Sequence, residues 1–157
     1  MSTPLRGLVV LAFASLLAAG CGKGFHATTP QGFVEVAEDE PVYDYRAVAP
    51  DGVALAVRSV DIDDATDLAF WERAVSLRMR ELEGYALVEA HDVRSADGTP
   101  GRELVFGHDE EGKPFVYRVR LFVSANRLFV VEAGGSDENM RRWSKSVEHA
   151  LQSFRAG

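Results

Sequence analysis

The sequence is poor in cysteine and lacks the residue spacings of known active sites. Cys21 is the only cysteine among 157 residues, so the chain cannot form an internal disulfide. It contains no Gly-x-Ser-x-Gly motif and no His-Glu-x-x-His motif. We therefore predict no catalytic residue, no metal ligand and no cofactor. A non-enzymatic protein is favoured over a hydrolase of unrecognised type.

The chain also lacks an apolar run long enough to cross a membrane as a helix. Its longest uncharged apolar run is GLVVLAFASLLAAG, residues 7–20. A membrane-spanning helix needs about 20 apolar residues, so this run is too short. It follows a short segment whose positive charge comes from Arg6 and the terminal amine. This pattern predicts a secretory signal peptide over residues 1–20.

The signal ends in Leu17-Ala18-Ala19-Gly20-Cys21, which resembles the bacterial lipobox. Ala18 stands where that box most often has leucine. The resemblance implies cleavage before Cys21, a diacylglyceryl group on its thiol and an acyl chain on its amine. Lipidation would also explain a lone cysteine in an exported protein. Gly22, in place of aspartate, implies an anchor in the outer membrane of a Gram-negative envelope, facing the periplasm.

Acidic side chains outnumber basic ones, which argues against nucleic acid as a partner. Of the 17 Lys and Arg residues, residues 1–20 hold only Arg6, which leaves 16 against 24 Asp and Glu, a net charge of −8. Such a charge also disfavours adsorption to anionic lipid. The remaining length fits one domain. We predict that residues 21–32 comprise the lipidated cysteine and a flexible tether, and that residues 33–157 form the domain.

Two segments have the apolar spacing of amphipathic helices. They cover residues 66–83 and residues 137–154. Asp64 or Thr66 is placed to cap the first helix, and Ser136 or Asp137 to cap the second.

The rest of the chain alternates apolar and polar residues, as strands do. Asp51-Gly52 and Asp97-Gly98 are hairpin-turn pairs. Short turns between consecutive strands predict an antiparallel sheet of six or seven strands, with the two helices packed on it, in an α+β fold. The clearest strands are Tyr43–Pro50, Val53–Val60, Leu87–Arg94, Arg102–Gly107, Phe115–Val123 and Arg127–Ala133.

Three stretches resemble the Mog1/PsbP-like fold, including the DcrB-type envelope lipoproteins. They are YRAVAPDGVALAVRSVD, the helix that begins at FWERAV, and RLFVVEAGG with the helix that ends in ALQSF. These stretches are architectural. The resemblance implies a non-catalytic adaptor or assembly factor and carries over no catalytic residues.

Arg118 and Arg120 lie on one face of the predicted strand 115–123 and form a candidate interaction face. The alternative is cross-strand ion pairing with Glu103. For function, we predict a lipid-anchored module that binds a protein partner in the cell envelope. A small-ligand carrier with a pocket between sheet and helices is the alternative.

Overall fold

The computed structural model describes residues 24–37, 42–63 and 66–157. It contains one seven-stranded sheet, with strand order β1-β2-β3-β7-β6-β5-β4, in which all neighbours are antiparallel. The predicted α+β class and strand number are confirmed. The elements in chain order are β1 (Val34–Glu35), β2 (Tyr45–Val48), β3 (Ala54–Asp61), α1 (Leu68–Glu81), β4 (Ala86–Arg94), β5 (Pro100–Glu110), β6 (Lys113–Ser124), β7 (Arg127–Ser136), α2 (Asp137–Arg142) and α3 (Ser144–Ser153).

Hairpin turns set the order of the strands. Gly52 adopts a positive φ of 91° between β2 and β3, as a turn glycine can without strain. Between β6 and β7, Ala125 and Asn126 both have positive φ, 46° and 60°, the dihedrals of a tight hairpin whose twist matches its strands. The two edge strands are irregular: β1 has only two residues, and β4 has a bulge between Leu87 and Glu89.

Helix α1 begins two residues later than the spacing predicts. The carboxylate of Asp67 caps it by accepting a hydrogen bond of 2.8 Å from the backbone N–H of Phe70. The hydroxyl of Thr66, which we predicted as a cap, instead donates to the carbonyl of Asp63. Asp64, the other predicted cap, lies outside the described residues.

The second predicted helix is two helices, so the described chain has three rather than two. Trp143 leaves the helical dihedrals (φ −93°, ψ 11°) between α2 and α3. Its indole Nε1 donates to the carboxylate of Asp51, 2.8 Å away, and its ring meets Phe33 edge-on. Met140 before the break and Val147 after it both reach the same core. The apolar spacing therefore continues across the break and does not reveal it.

The sheet separates two apolar cores. Helices α2 and α3 cover one face, here called the α3 face, which includes Phe122 and Phe129. Helix α1 covers part of the other, the α1 face, which includes Leu104, Val119 and Leu121. Alternation along β6 thus sends neighbouring residues to opposite cores. Among the described helices, none combines the length and apolar character that crossing a bilayer requires.

We predicted a flexible tether over residues 21–32. The structure instead places residues 24–32 in contact with the domain. The ring of Phe25 stacks on Phe154 at 5.9 Å and meets Phe129 edge-on at 6.2 Å. His26 and Arg155 exchange two backbone hydrogen bonds of 3.1 and 3.0 Å. The compact unit therefore begins before residue 33. The predicted signal peptide, Cys21 and the rest of the tether lie outside the described residues.

Candidate functional site

A cluster of four charged side chains lies on the α3 face. Glu103 of β5 is only 1% exposed, and its carboxylate accepts hydrogen bonds from Nε of Arg118, at 2.8 Å, and from Nε of Arg120. Glu148 of α3 accepts from the other ends of both guanidinium groups, at 3.0 and 3.1 Å. Two positive and two negative charges therefore cancel beneath a helix. We call these four residues the ion-pair cluster.

The cluster shifts the ionisation of its most exposed member. Partial burial alone would raise the pKa of Glu148, but Arg118 and Arg120 outweigh burial and lower it below its ordinary value. Glu148 therefore stays ionised and keeps α3 fastened to β6.

The ion-pairing alternative for Arg118 and Arg120 is thus present in the structure. Arg120 is 5% exposed, which leaves Arg118 as the more accessible of the two. Contact between this face and a partner stays a prediction.

The histidines are dispersed. His91 Nε2 lies 4.0 Å from the Glu103 carboxylate, and His108 Nδ1 lies 3.0 Å from the carbonyl oxygen of Gly84. His26 is in the N-terminal segment, and His149 is exposed on α3. Within residues 24–37, 42–63 and 66–157, no three His, Cys, Asp or Glu side chains come close enough to hold a metal ion.

A groove opens on the α1 face, beside α1. That helix packs on β4, β5 and β6. Next to it, over β3 and β7, the floor consists of the small residues Ala54, Ala56 and Gly134, and the open volume is about 290 Å³. A second recess of about 230 Å³ shares four of its lining residues and extends it toward the end of α1. The side chains around the floor define what we call the tyrosine groove: Tyr43, Arg46, Arg58, Tyr85, Tyr117 and Glu132.

Glu132 is the charged centre of the tyrosine groove. It is 4% exposed and accepts hydrogen bonds from Arg58, at 2.7 Å from Nη2 and 3.2 Å from Nε, and from the hydroxyl of Tyr117. Burial, and then the negative charge of Glu132, raise the pKa of Tyr117 far above its ordinary value. Tyr117 is therefore a permanent hydrogen-bond donor, and the three groups are fixed before any ligand arrives.

Aromatic rings form the walls of the groove. The guanidinium groups of Arg58 and Arg46 lie 5.4 and 5.9 Å from the ring centre of Tyr43, within the range of a cation–π contact. Tyr85 lies 6.0 Å from Tyr117, ring to ring. The groove thus offers ring surfaces and guanidinium groups held in place by their neighbours.

Gly134 makes room for the ring of Tyr117 in the wall of the groove. A Cβ atom at position 134 would lie 2.8 Å from Cδ2 of Tyr117, closer than real Cβ contacts come. Any larger residue would force the ring of Tyr117 or the strand to shift. The groove therefore depends on one glycine in the middle of a strand.

Sequence reasoning did not find the tyrosine groove. Its side chains come from separate strands and connecting segments, so no spacing in the sequence joins them. One signal was available: Glu132 interrupts the apolar run RLFVVEAGG of β7. A carboxylate in an otherwise buried strand needs partners, and those partners mark a polar site.

Comparison with known proteins identifies the fold. No family model matches the chain, and no curated protein is significantly similar to it. The Ran-binding protein Mog1p of Saccharomyces cerevisiae has a similar structure, with a TM-score of 0.61 at 14% sequence identity, covering 87% of this chain and 92% of that one. LpqN of Mycobacterium tuberculosis, involved in cell envelope biogenesis, gives 0.61 at 15% identity, covering 83% and 81%.

Cyanobacterial PsbP (CyanoP) from Synechocystis sp. PCC 6803 has the same architecture, with a TM-score of 0.59 at 15% identity, covering 84% of this chain and 86% of that one. At such identities the likeness establishes the fold alone. The chain folds as a Mog1/PsbP-like domain, as its sequence resemblance predicts.

Proposed function

We propose that this protein is a lipid-anchored, non-catalytic envelope lipoprotein that binds a protein partner through the tyrosine groove. Cys21 carries the lipid, and the domain faces the periplasm from the outer membrane. The observation that carries the proposal is a concave site lined by three tyrosines and two arginines around a buried carboxylate. Tyrosine and arginine are the residues most enriched, with tryptophan, where protein interfaces gain their binding energy.

The fixed geometry of the groove favours binding. Arg58 and Tyr117 are already oriented by Glu132, so a partner would not have to order them. Two proteins of similar fold support the proposal in kind: Mog1p is a Ran-binding protein, and LpqN is involved in cell envelope biogenesis.

A small-ligand carrier is the second candidate, with two places for a ligand: the tyrosine groove and a recess of about 560 Å³ lined by Asp51, Phe115 and Asn139. Between the sheet and α3, around Leu55 and Leu151, the space measures about 10 Å³, barely enough for one water molecule. The groove, at about 290 Å³, is close to the lower end of the range for small-molecule sites.

The lipid anchor is tested by Cys21→Ala in the full-length chain. We expect the variant to keep its signal peptide and to lose labelling by a radioactive or clickable fatty acid. Normal processing of the variant, with unchanged labelling, would rule out Cys21 as the lipid acceptor.

The groove is tested by crosslinking in living cells. A photo-crosslinking residue is introduced at Tyr85 in the groove or, as the matched control, at His149 on the exposed side of α3. We expect one envelope protein to be captured from position 85 and lost when Arg58→Ala is added. Capture from a crosslinker at Arg118 but not from position 85 would instead place the partner on the α3 face.

A further inference from the structure

We infer that the domain has a fixed orientation on the membrane: the end of the sheet where β7 begins lies against the lipid headgroups, and the tyrosine groove opens toward the far end. The inference rests on the proposed lipid at Cys21. It goes further, because an anchor alone would leave the domain free to tumble.

The chain between the lipid and the domain is very short. Only Gly22 and Lys23 separate Cys21 from Gly24, which directly precedes the packed residue Phe25. Three steps between consecutive Cα atoms span at most about 11 Å. The lipidated residue therefore cannot lie farther than that from the position of Gly24.

The contacts of the segment that begins at Gly24 determine where this short connection joins the domain. A Cβ atom on Gly24 would lie 2.7 Å from Nη1 of Arg127, so Gly24 lies beside the guanidinium group of the first residue of β7. Phe25 packs on Phe129 and Phe154, and His26 exchanges two backbone hydrogen bonds with Arg155. The segment is held by the aromatic core on one side and by the backbone on the other.

Strand register shows which end of the molecule this is. Arg127 pairs with Asp61, the last residue of β3, and with Ser124, the last residue of β6. The backbone N–H of Ala96, in the turn between β4 and β5, donates to the carbonyl of Phe154, 2.7 Å away. We call this the anchor end of the sheet.

Most of the tyrosine groove lies in the other half, although Arg58 pairs with Val130, three residues along β7 from Arg127. Gly134, on its floor, is seven residues along β7 from Arg127, which corresponds to about 23 Å at the usual rise per strand residue. Gly52, at the turn between β2 and β3, also lines the groove. A partner could therefore reach the groove without displacing lipid.

The test uses the full-length lipidated protein in vesicles of phosphatidylethanolamine and phosphatidylglycerol. Because Cys21 is the only natural cysteine and its thiol is consumed by the lipid, one introduced cysteine can be spin-labelled selectively. The labels are placed at Arg155→Cys, at the anchor end, and at Glu110→Cys, at the far end. Both side chains are exposed and charged.

Paramagnetic relaxation by a nickel-chelating lipid reports the distance of each label from the surface. We expect relaxation to be several-fold stronger at position 155 than at position 110. A flexible Gly-Ser spacer of about 12 residues, inserted between Gly22 and Lys23, has a reach of about 20 Å and should abolish the difference. Equal relaxation without the spacer, or a difference that survives the spacer, would overturn the inference.

The mass of the N-terminal peptide is measured on the same samples. A peptide without acyl chains would mean that the lipid anchor itself fails. Acylation with equal relaxation at both labels would leave the anchor intact and reject the orientation alone. The two failures are therefore distinguishable.

Discussion

Glu103 and Glu132 are both buried glutamates on sheet strands, and both accept hydrogen bonds from arginine. Glu103 on the α3 face has two arginines, and Glu148 of α3 closes the cluster from above. Glu132 on the α1 face has one arginine and a tyrosine, and its surroundings open into a groove. The same chemistry thus fastens a helix to the sheet on one face and, on the other, fixes side chains that reach solvent.

The largest expected loss of stability is at the ion-pair cluster. Glu103→Ala would leave Arg118 and Arg120 with only Glu148 as a carboxylate partner. Losing one partner of a buried ion pair typically costs about 3–5 kcal/mol, and urea denaturation measures the free energy of unfolding. Glu148→Ala, which removes a more exposed carboxylate, should cost clearly less. Equal costs for the two variants would show that Glu103 is not the centre of the cluster.

Gly134→Ala should distort the tyrosine groove through a steric clash. The new methyl group would collide with Tyr117, and overpacking of this kind costs about 1–3 kcal/mol. Partner crosslinking from position 85 should fall in parallel. The control is Gly107→Ala, whose Cβ would meet only the exposed side chain of Val88, at 3.2 Å. If both variants were equally stable and equally active in crosslinking, Gly134 would not shape the groove.

Tyr117→Phe separates the hydrogen bond from the ring. It removes the hydroxyl that donates to Glu132 and leaves the wall of the groove in place. Removing one partner of a hydrogen bond to a buried carboxylate costs about 1–3 kcal/mol, and here Arg58 still satisfies Glu132, so we expect about 1 kcal/mol in thermal or urea unfolding. A cost like that of Glu103→Ala would mean that this hydrogen bond in the tyrosine groove stabilises the fold as much as Glu103 does in the ion-pair cluster.

The smallest effect concerns pH. The pKa of Glu148 is lowered from 4.5 in the folded state, so its carboxylate contributes stability above pH 4.5 and loses that contribution as the pH falls through the folded-state pKa. Between pH 5 and pH 3 the melting temperature of the Glu148→Gln variant should therefore fall less steeply than that of the wild type. Parallel curves would show that Glu148 does not sense the two arginines.

The elements of the fold were predictable because their signals are local. The period-two pattern of β6 and the turn pair Asp51-Gly52 lie within a few residues of sequence, and both are in the structure. The break at Trp143 was not predictable, because the apolar spacing is continuous across it. The packing of Phe25 was missed for another reason: a single aromatic residue among small polar ones has no periodicity to mark it.

The Glu103 pairs of the ion-pair cluster were predictable from local sequence, and the tyrosine groove was not. Pairing of Arg118 and Arg120 with Glu103 was foreseen as an alternative, since neighbouring strands of one hairpin place them side by side. The partners of Glu132 come from β3 and β6, and Tyr43 and Tyr85 come from segments outside the strands. Only the folded chain brings them together.

The two irregular edges of the sheet bear on how copies of the chain behave when crowded. Confinement to a surface brings identical chains together far more often than dilution in a volume, and exposed strand edges are where identical sheets join and aggregate. Here one edge strand is two residues long and the other is interrupted by a bulge between Leu87 and Glu89. Neither edge of the described sheet offers a long regular template, so copies of this chain that meet at high concentration have little backbone through which to pair.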